Sequence, residues 1–384
     1  MLNYLKRTNM LFSQIPGLDE VKSTLINSVT NSHVAHAQLF AGAEGSAALP
    51  MAMAYATYVN CLDRKETDAC GQCSSCVKFN KLIHPDLHVV YPVTTNKKVT
   101  KDASSELFFT EWREAFLSNP FITFGDWLDT LDAENKQLII NVEESRNIIK
   151  KISLKSFEAE YKVVIIWLPE MMRHEAANGL LKVLEEPPVK TLFLLVTAQQ
   201  EKLLTTIISR TQRIQVRLFE DSEIKKYLIE EKGISEAQAK RVTYLADGNM
   251  REAIRLLSEE DQDHESKIRD WLRACYGSKL QDMIKWSEEF STLSSELQKS
   301  LLQYGLSILR DSLMYKTVGE DLLRVDETSQ DDMVQKFSNV IDYSKVARMS
   351  HVLNEAHAQI ERNINSKMVF MDTSFQLTQI FKSK

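Results

Sequence analysis

The residues with the most distinctive chemistry are four cysteines within a stretch of sixteen, namely Cys61, Cys70, Cys73 and Cys76. Two-residue gaps let a tight loop direct successive thiolates to one point, and Gly71 gives that loop conformational freedom. Four thiolates fill the tetrahedral coordination of Zn²⁺, so the spacing predicts a structural zinc site with no open catalytic position. Unpaired thiols are the alternative, and His84 is an alternative ligand to Cys61. The fifth cysteine, Cys275, is expected to be an inert thiol in a helical core.

A second segment has the position of a phosphate-binding loop but lacks its residues. It follows the apolar run Gln38–Ala41 and leads into a helix, and its relevant residues are Gly42, Gly45, Ala47, Ala48 and Leu49. In the pattern G-x-x-x-x-G-K-[ST], the lysine contacts the terminal phosphates and the hydroxyl residue ligates Mg²⁺. Ala47, Ala48 and Leu49 stand where the second glycine, the lysine and the hydroxyl residue belong. The segment therefore predicts a loop without a nucleotide; an ordinary strand-to-helix turn is the alternative.

The strand that would carry the metal-binding acid of a nucleoside triphosphatase gives the same indication. Such an enzyme places an acidic residue at the strand's end to hold Mg²⁺ and polarise water. Here the apolar run Lys162–Trp167 is followed by Leu168 and Pro169, and Glu170 comes three residues late. Both nucleotide-handling segments thus lack their chemistry, which argues against ATP binding by this chain.

The elements that must position these residues alternate between strands and helices. Apolar or β-branched runs predict strands at Gln38–Ala41, Leu87–Tyr91, Lys162–Trp167, Thr191–Thr197 and Arg213–Arg217. Helical patterns between them include Leu49–Val59, Val142–Ile152 and Glu175–Leu184. This alternation predicts an α/β core with a mostly parallel sheet. Glycine and proline together make up only about 5% of the chain, (11 + 8)/384, which indicates a helix-rich protein.

Two regions depart from that alternation. Residues 93–138 show no strand period and carry seven aromatic residues, so we expect a helical insertion whose aromatics form a small core of their own or a partner surface. Beyond Pro188 the chain has no proline. Glu220–Leu257 is typical of a compact three-helix unit, and later apolar stripes predict a helical bundle; the stripes are Leu302, Leu306, Leu309 and Leu313, and Val346, Met349, Leu353, Ala356 and Ile360.

Charge and hydropathy exclude several classes of protein. The formal net charge is −6 and the sequence pI about 5.9, which argues against a broad basic face for nucleic acid. No apolar run approaches the roughly 18–20 residues that span a bilayer. The first residues lack the pattern of a signal peptide. We therefore expect a cytoplasmic protein with no membrane partner.

Several motifs together resemble the AAA+ subunits of bacterial clamp loaders. They are EAANGLLKVLEEPP (Glu175–Pro188), HPDLHVV, the four-cysteine loop, Ser209-Arg210-Thr211, Gly248-Asn-Met-Arg251 and IERNINSKM. The resemblance implies a P-loop-type α/β core over residues 1–217, with the zinc loop at 61–76 and the insertion at about 93–138. It also implies a helical lid over 218–260 and an oligomerising all-α collar over 261–384.

The family's ring implies partners and a role for one arginine. Clamp loaders are hetero-pentamers of gamma/tau and delta-type subunits that open the sliding clamp and load it on primer–template DNA. Each ATP site is completed by an arginine from a neighbouring subunit within a Ser-Arg-Cys motif. Arg210, with Ser209 and with Thr211 in place of the cysteine, is expected to be this arginine finger; an ordinary surface arginine is the alternative. Arg251, at the family's sensor 2 position, is expected mainly to make a domain contact.

Three functions remain in competition. Within the family that the chain resembles, a retained zinc loop beside altered nucleotide motifs implies the non-catalytic stator subunit of the DNA polymerase III clamp loader, which is not an enzyme by itself and binds Zn²⁺ but no ATP. The second function is an ATP-hydrolysing motor of the gamma/tau type. The third is a stand-alone zinc-dependent DNA-binding module, which the acidic charge balance disfavours.

Overall fold

The structure is a computed structural model that describes residues 11–96, 98–133, 136–258, 264–318, 330–362 and 364–383. The chain divides into two compact units, Met1–Leu256 and Leu257–Lys384. Among the described helices, none is long and apolar enough to cross a lipid bilayer.

The first unit contains a parallel sheet, with five strands among the described residues. They are β1 (Ala37–Ala41), β2 (Leu87–Val90), β3 (Lys162–Trp167), β4 (Thr191–Thr197) and β5 (Gln212–Gln215), in the spatial order β2-β3-β4-β1-β5. Every residue of β1, β3 and β4 is buried, as expected for central strands covered on both faces. The predicted parallel α/β core is confirmed, and the predicted strand ends differ from the observed ones by two residues at most.

Helices of the first unit cover the sheet. They are α1 (Asp19–Thr30), α2 (Ala48–Val59), α3 (Ser74–Asn80), α6 (Val142–Ser153), α7 (His174–Glu185) and the single turn α8 (Thr205–Ile208). Helix α2 is buried along its whole length and packs against β1, β3 and β4. Helices α6 and α7 place Ile148, Ile152 and Leu180 in one apolar cluster with alternate residues of the central strands, such as Val164 and Phe193. Alternation of side chains along each strand explains why one face of the sheet meets this helix pair.

The insertion forms α4 (Phe109–Ser118) and α5 (Phe124–Thr130). Its aromatics do not form a separate core, because Trp112 stacks on Tyr91 directly after β2, with ring centroids 5.0 Å apart, and also packs against Trp167 at the end of β3. Trp127 meets Tyr91 edge-on and donates its indole N–H to the Pro92 carbonyl at 2.8 Å. The insertion therefore extends the main core over the carboxyl ends of β2 and β3.

The rest of the first unit is a three-helix segment made of α9 (Asp221–Lys232), α10 (Glu236–Ala246) and α11 (Met250–Ser258). Gly233 adopts a left-handed conformation that ends α9, and the Ser235 side chain caps α10. The backbone N–H of Phe219 donates to the Gly248 carbonyl at 3.1 Å, which ties the entry of the segment to the turn before α11.

The second unit is helical throughout its described residues. Its helices are α12 (His264–Tyr276), α13 (Leu280–Thr292), α14 (Ser295–Val318), α15 (Gln330–Ser338), α16 (Tyr343–Glu361) and α17 (Ser366–Lys382). Phe370 of α17 stacks on both Trp271 and Phe290, at centroid distances of 4.5 and 4.2 Å. The predicted stripe on α16 is buried at all five positions. Cys275 is buried in this core, and burial raises the pKa of its thiol to about 12, which suits an inert role.

Candidate functional site

The four clustered cysteines converge in the structure. Cys61 is the second residue after the end of α2, Cys70 and Cys73 lie in the following loop, and Cys76 lies in α3. Their four Sγ atoms all lie within 4.8 Å of one another. In a tetrahedral zinc site with Zn–S bonds of about 2.3 Å, the sulfurs stand about 3.8 Å apart. The geometry therefore fits one tetrahedral ion held by four sulfurs.

Backbone amides support these thiolates. The N–H groups of Cys70, Cys73 and Cys76 donate to the sulfurs of Cys61, Cys70 and Cys73 at 3.3–3.4 Å, and Gly71 turns the loop at φ +73°. Burial alone would raise the pKa of Cys73, but N–H donors from Cys76 and Leu62 bring it to about 7. Burial raises the pKa of Cys76, which is the cost that a bound cation would offset. The cluster could therefore bind zinc as a closed site.

His84, the alternative ligand, lies outside this cluster. Its ring is fully buried and packs on Phe79, with ring centroids 4.4 Å apart. Its Nδ1 accepts the backbone N–H of Asp86 at 3.1 Å, and its Nε2 lies 3.4 Å from a carboxylate oxygen of Glu158. Burial lowers the pKa of His84, which favours a neutral imidazole ring packed in the core. The structure thus brings Cys61, and not His84, to the other three cysteines.

The segment at Gly42–Leu49 links β1 to α2, as the sequence pattern indicated. Gly42 donates its N–H to the Thr197 carbonyl at 3.2 Å, and α2 begins at Ala48. Ala47, Ala48 and Leu49 are all buried, and Ala47 offers the helix no side-chain cap. The start of α2 therefore presents apolar side chains packed into the core where a lysine and a hydroxyl would face phosphates.

Gly45 of this segment lies against the three-helix segment. It has φ +77°, and a Cβ atom there would come within 1.9 Å of Asn249 Oδ1. Its carbonyl accepts the backbone N–H of Met250 at 3.1 Å. Asn249 also caps α11 by accepting the N–H of Glu252 at 2.9 Å. The space beside Gly45 is thus filled by Asn249.

The end of β3 is closed by internal contacts. Trp167 and Leu168 are buried, and Leu168 adopts a left-handed backbone with φ +57°. The late acid, Glu170, accepts the Thr197 hydroxyl at 2.9 Å and the Ala198 N–H at 3.3 Å. Burial raises the pKa of Glu170. This carboxyl therefore binds the end of β4.

Arg251, on the first turn of α11, makes the domain contact that was expected of it. Its Nε lies 2.9 and 3.0 Å from the two carboxylate oxygens of Asp126 in α5, and its Nη2 also contacts Asp126. Burial alone would raise the pKa of Asp126, but hydrogen bonds and the charge of Arg251 lower it. Sequence reasoning missed Asp126: Thr123-x-x-Asp126 indicates a helix start, but nothing local indicates its distant partner.

Arg210 lies just after the single turn α8, on the way to the edge strand β5. Its Nε lies 3.0 Å from Glu185 Oε2 at the end of α7, and Nη1 donates to the Thr206 carbonyl at 3.1 Å. The side chain is 31% exposed. The hydroxyls of Ser209 and Thr211 donate to carbonyls of α8 and so fix the turn around Arg210. Glu185 is a second partner that the sequence did not indicate.

Comparison with known proteins gives the family. A family model described as DNA polymerase III, delta subunit, matches residues 17–220, just over half of the 384 residues. The chain belongs to this family. The match includes the cysteine cluster, Gly42–Leu49 and Arg210, and it confirms the predicted membership among bacterial clamp-loader subunits.

Two relatives similar to this chain are named as DNA polymerase III subunits. The chain is 25% identical over 380 residues to DNA polymerase III subunit tau of Bacillus subtilis, covering 94% of this chain and 60% of the relative. It is 29% identical over 249 residues to subunit delta′ of the same organism, covering 65% of this chain and 61% of the relative. A solved DNA polymerase III gamma subunit-related protein of Thermotoga maritima aligns over 94% of this chain and 99% of its own, with 16% identity and a TM-score of 0.38. The chain spans about three fifths of the length of the two Bacillus relatives.

We predict that protein purified without added metal contains about one zinc ion per chain. Cys73→Ser should raise the zinc dissociation constant by about tenfold or more, because it removes one of the four thiolates. Cys275→Ser is the control, since this cysteine is not one of the four in the cluster and belongs to the second unit. Elemental analysis and competition with a chelator measure both quantities. Wild-type protein without near-stoichiometric zinc would contradict the prediction.

We also predict that Gly45→Ala destabilises the first unit more than Gly233→Ala does. Both glycines have left-handed backbones, which cost an alanine about 1–2 kcal/mol, but a Cβ at Gly233 meets open space whereas one at Gly45 meets Asn249. Overpacking should add about 1–3 kcal/mol at Gly45. Urea unfolding of the two variants measures the difference. Equal losses would mean that Asn249 moves aside freely.

Proposed function

We propose that the chain is a delta′-type, non-catalytic stator subunit of a clamp-loader complex that helps load the sliding clamp on primed DNA. The observation that carries this proposal is the start of α2, where Ala47, Ala48 and Leu49 are buried and apolar. A nucleoside triphosphate needs a cation and a metal ligand at these positions, because its phosphates carry several negative charges. Apolar side chains supply neither, and their burial leaves the phosphates no place beside them.

The end of β3 supports the same function. Trp167 and Leu168 cannot ligate Mg²⁺, and the nearby carboxyl of Glu170 is bonded to Thr197 and has a raised pKa. A carboxyl that holds its proton more readily is a poor ligand for a divalent cation. Two independent segments therefore argue against hydrolysis by this chain alone.

In the proposed ring, the chain acts on a neighbour's ATP through Arg210, with Ser209 and Thr211 shaping the turn. A guanidinium stabilises the negative charge that spreads over the transferred phosphoryl oxygens. Arg210 suits this role because it precedes the edge strand β5 and is partly exposed. Its partner Glu185 is 60% exposed, so their ion pair is weak and an incoming phosphate can replace the carboxylate.

The proposed partners are gamma/tau-type motors and a delta subunit in a hetero-pentamer, with the sliding clamp and primer–template DNA reached through the assembled ring. The relatives named tau and delta′ support this set. Zn²⁺, held by Cys61, Cys70, Cys73 and Cys76, is proposed as a structural ion. We propose a cytoplasmic location because the matching family is one of DNA polymerase III subunits.

An ATP-hydrolysing motor of the gamma/tau type is the second candidate function. It is favoured by the extent of similarity to the tau subunit, which covers 94% of this chain, against 65% for delta′. The stator is preferred because alignment length reports the shared fold, whereas phosphate chemistry depends on the residues at the start of α2.

We predict that the isolated chain shows no saturable binding of ATP, with or without Mg²⁺. The reason is the absence of a cation at Ala48 and of a hydroxyl at Leu49. Equilibrium dialysis or calorimetry measures binding, with the motor subunit of the same complex as positive control. Stoichiometric, Mg²⁺-dependent binding would favour the motor function.

We predict that Arg210→Ala leaves the reconstituted complex assembled but lowers its DNA- and clamp-stimulated ATPase. An arginine finger contributes about 10³–10⁵ to the rate at the site it completes, so hydrolysis at the neighbouring site should be lost. Arg213→Ala is the matched control, because Arg213 is an exposed arginine three residues away in β5. Size-exclusion chromatography checks assembly and phosphate release reports the rate. An unchanged rate in an intact complex would rule out the finger.

A further inference from the structure

The Arg251–Asp126 pair joins two parts of the first unit that are far apart in sequence. Arg251 lies in the first turn of α11 in the three-helix segment, and Asp126 lies in the first turn of α5 in the insertion. The side chains are only 14% and 22% exposed, and the guanidinium meets both carboxylate oxygens. Charge-assisted hydrogen bonds are stronger than neutral ones, and a largely buried pair is screened less by salt than an exposed pair. Removing one partner of such a pair leaves the other charge buried and uncompensated, which is costly.

Asp126 is held in place before it meets Arg251. One of its oxygens accepts the backbone N–H and the hydroxyl of Thr123 at 2.9 and 2.8 Å, completing a capping box at the start of α5. The next residue, Trp127, is buried and anchored to the Pro92 carbonyl. The carboxylate is therefore fixed relative to the sheet, and little side-chain entropy is lost when the pair forms.

Further contacts attach the three-helix segment to the rest of the first unit. Phe121 of the insertion packs edge-on against Phe219 and against Tyr227 of α9, with centroids 5.6 and 6.3 Å apart. The Gly45 carbonyl accepts the N–H of Met250, the residue before Arg251. The three-helix segment is thus attached to the α/β core at an aromatic contact, a backbone hydrogen bond and an ion pair.

From these contacts we infer that the insertion is an intramolecular tether, in which the Asp126 carboxylate is the chain's own anion for Arg251 and holds the three-helix segment on the core in one orientation. The aromatic residues of the insertion attach the tether to the ends of β2 and β3, and the ion pair attaches it to the three-helix segment. The tether needs no bound ligand, because both charges belong to the chain. The inference does not depend on the proposed function, since the isolated chain contains every group involved.

Hydrogen–deuterium exchange on the full chain tests the tether. Asp126→Asn should speed amide exchange in residues 250–256 roughly ten- to a hundredfold, because charge-assisted hydrogen bonds are lost. Arg251→Gln should speed exchange reciprocally in α5, on the far side of the pair. In the double variant the two increases in exchange rate should not add, because each single change already breaks the ion pair of the tether. Additive effects, or unchanged exchange in residues 250–256, would overturn the inference.

Control variants separate the ion pair from local folding. Asp132→Asn makes the same charge change at an exposed residue just after α5 and should leave exchange in residues 250–256 unaltered. Thr123→Ala removes the cap of α5 but keeps the ion pair, so it should affect α5 more than α11. An effect of Thr123→Ala on α11 equal to that of Asp126→Asn would overturn the inference. Should Arg251→Gln fail to fold, Arg251→Lys keeps the charge but loses the bidentate geometry, and is expected to give a smaller increase.

Discussion

The structure of the first unit depends on the burial of β1, β3 and β4 on both faces. Buried strands leave polar backbone groups at their carboxyl ends that must find partners where the chain leaves the sheet. Here the partners come from the chain itself: Gly42 donates to the Thr197 carbonyl, Leu168 donates to the Val196 carbonyl at 2.8 Å, and the Thr197 hydroxyl donates to Glu170. In sheets of this kind the carboxyl edge is the usual ligand site. This chain closes part of that edge with its own groups.

The amino ends of the strands carry the other candidate site. Asn60, directly after α2, exchanges two hydrogen bonds with the backbone of Tyr161, the residue before β3. The Ser75 hydroxyl donates to the Asn60 carbonyl, and Asp68 accepts the N–H groups of Phe12 and Ser13. Helix α2, about 18 Å long at 1.5 Å per residue, thus separates the cysteine cluster from the phosphate-loop region. A metal ion there would stabilise the base of the sheet without touching the chemistry at its other end.

What the sequence could predict was local. The cysteine cluster, the buried central strands and the buried stripe of α16 depend on residues a few positions apart in sequence. The structure contains all three features. The insertion contains the helices α4 and α5, but its packing could not be predicted: Trp112 meets Trp167 across 55 positions of sequence, and no periodicity encodes that distance. Asp126 was missed for the same reason, since its partner is 125 residues away. The sequence already favoured Cys61 over His84, and the positions of the two side chains agree with that preference.

The contact between Gly45 and Asn249 has a consequence for how this fold could change over generations. Replacing Ala47, Ala48 and Leu49 by glycine, lysine and serine or threonine would give this segment the residue pattern of a phosphate loop. Asn249 would still fill the space beside Gly45, and Arg251 would still be engaged by Asp126. A lysine at Ala48 or a hydroxyl residue at Leu49, introduced singly, would bring a charge or a polar group into a closed core and so lower stability before any ligand could compensate. No one of these substitutions would by itself open a phosphate site in the present arrangement.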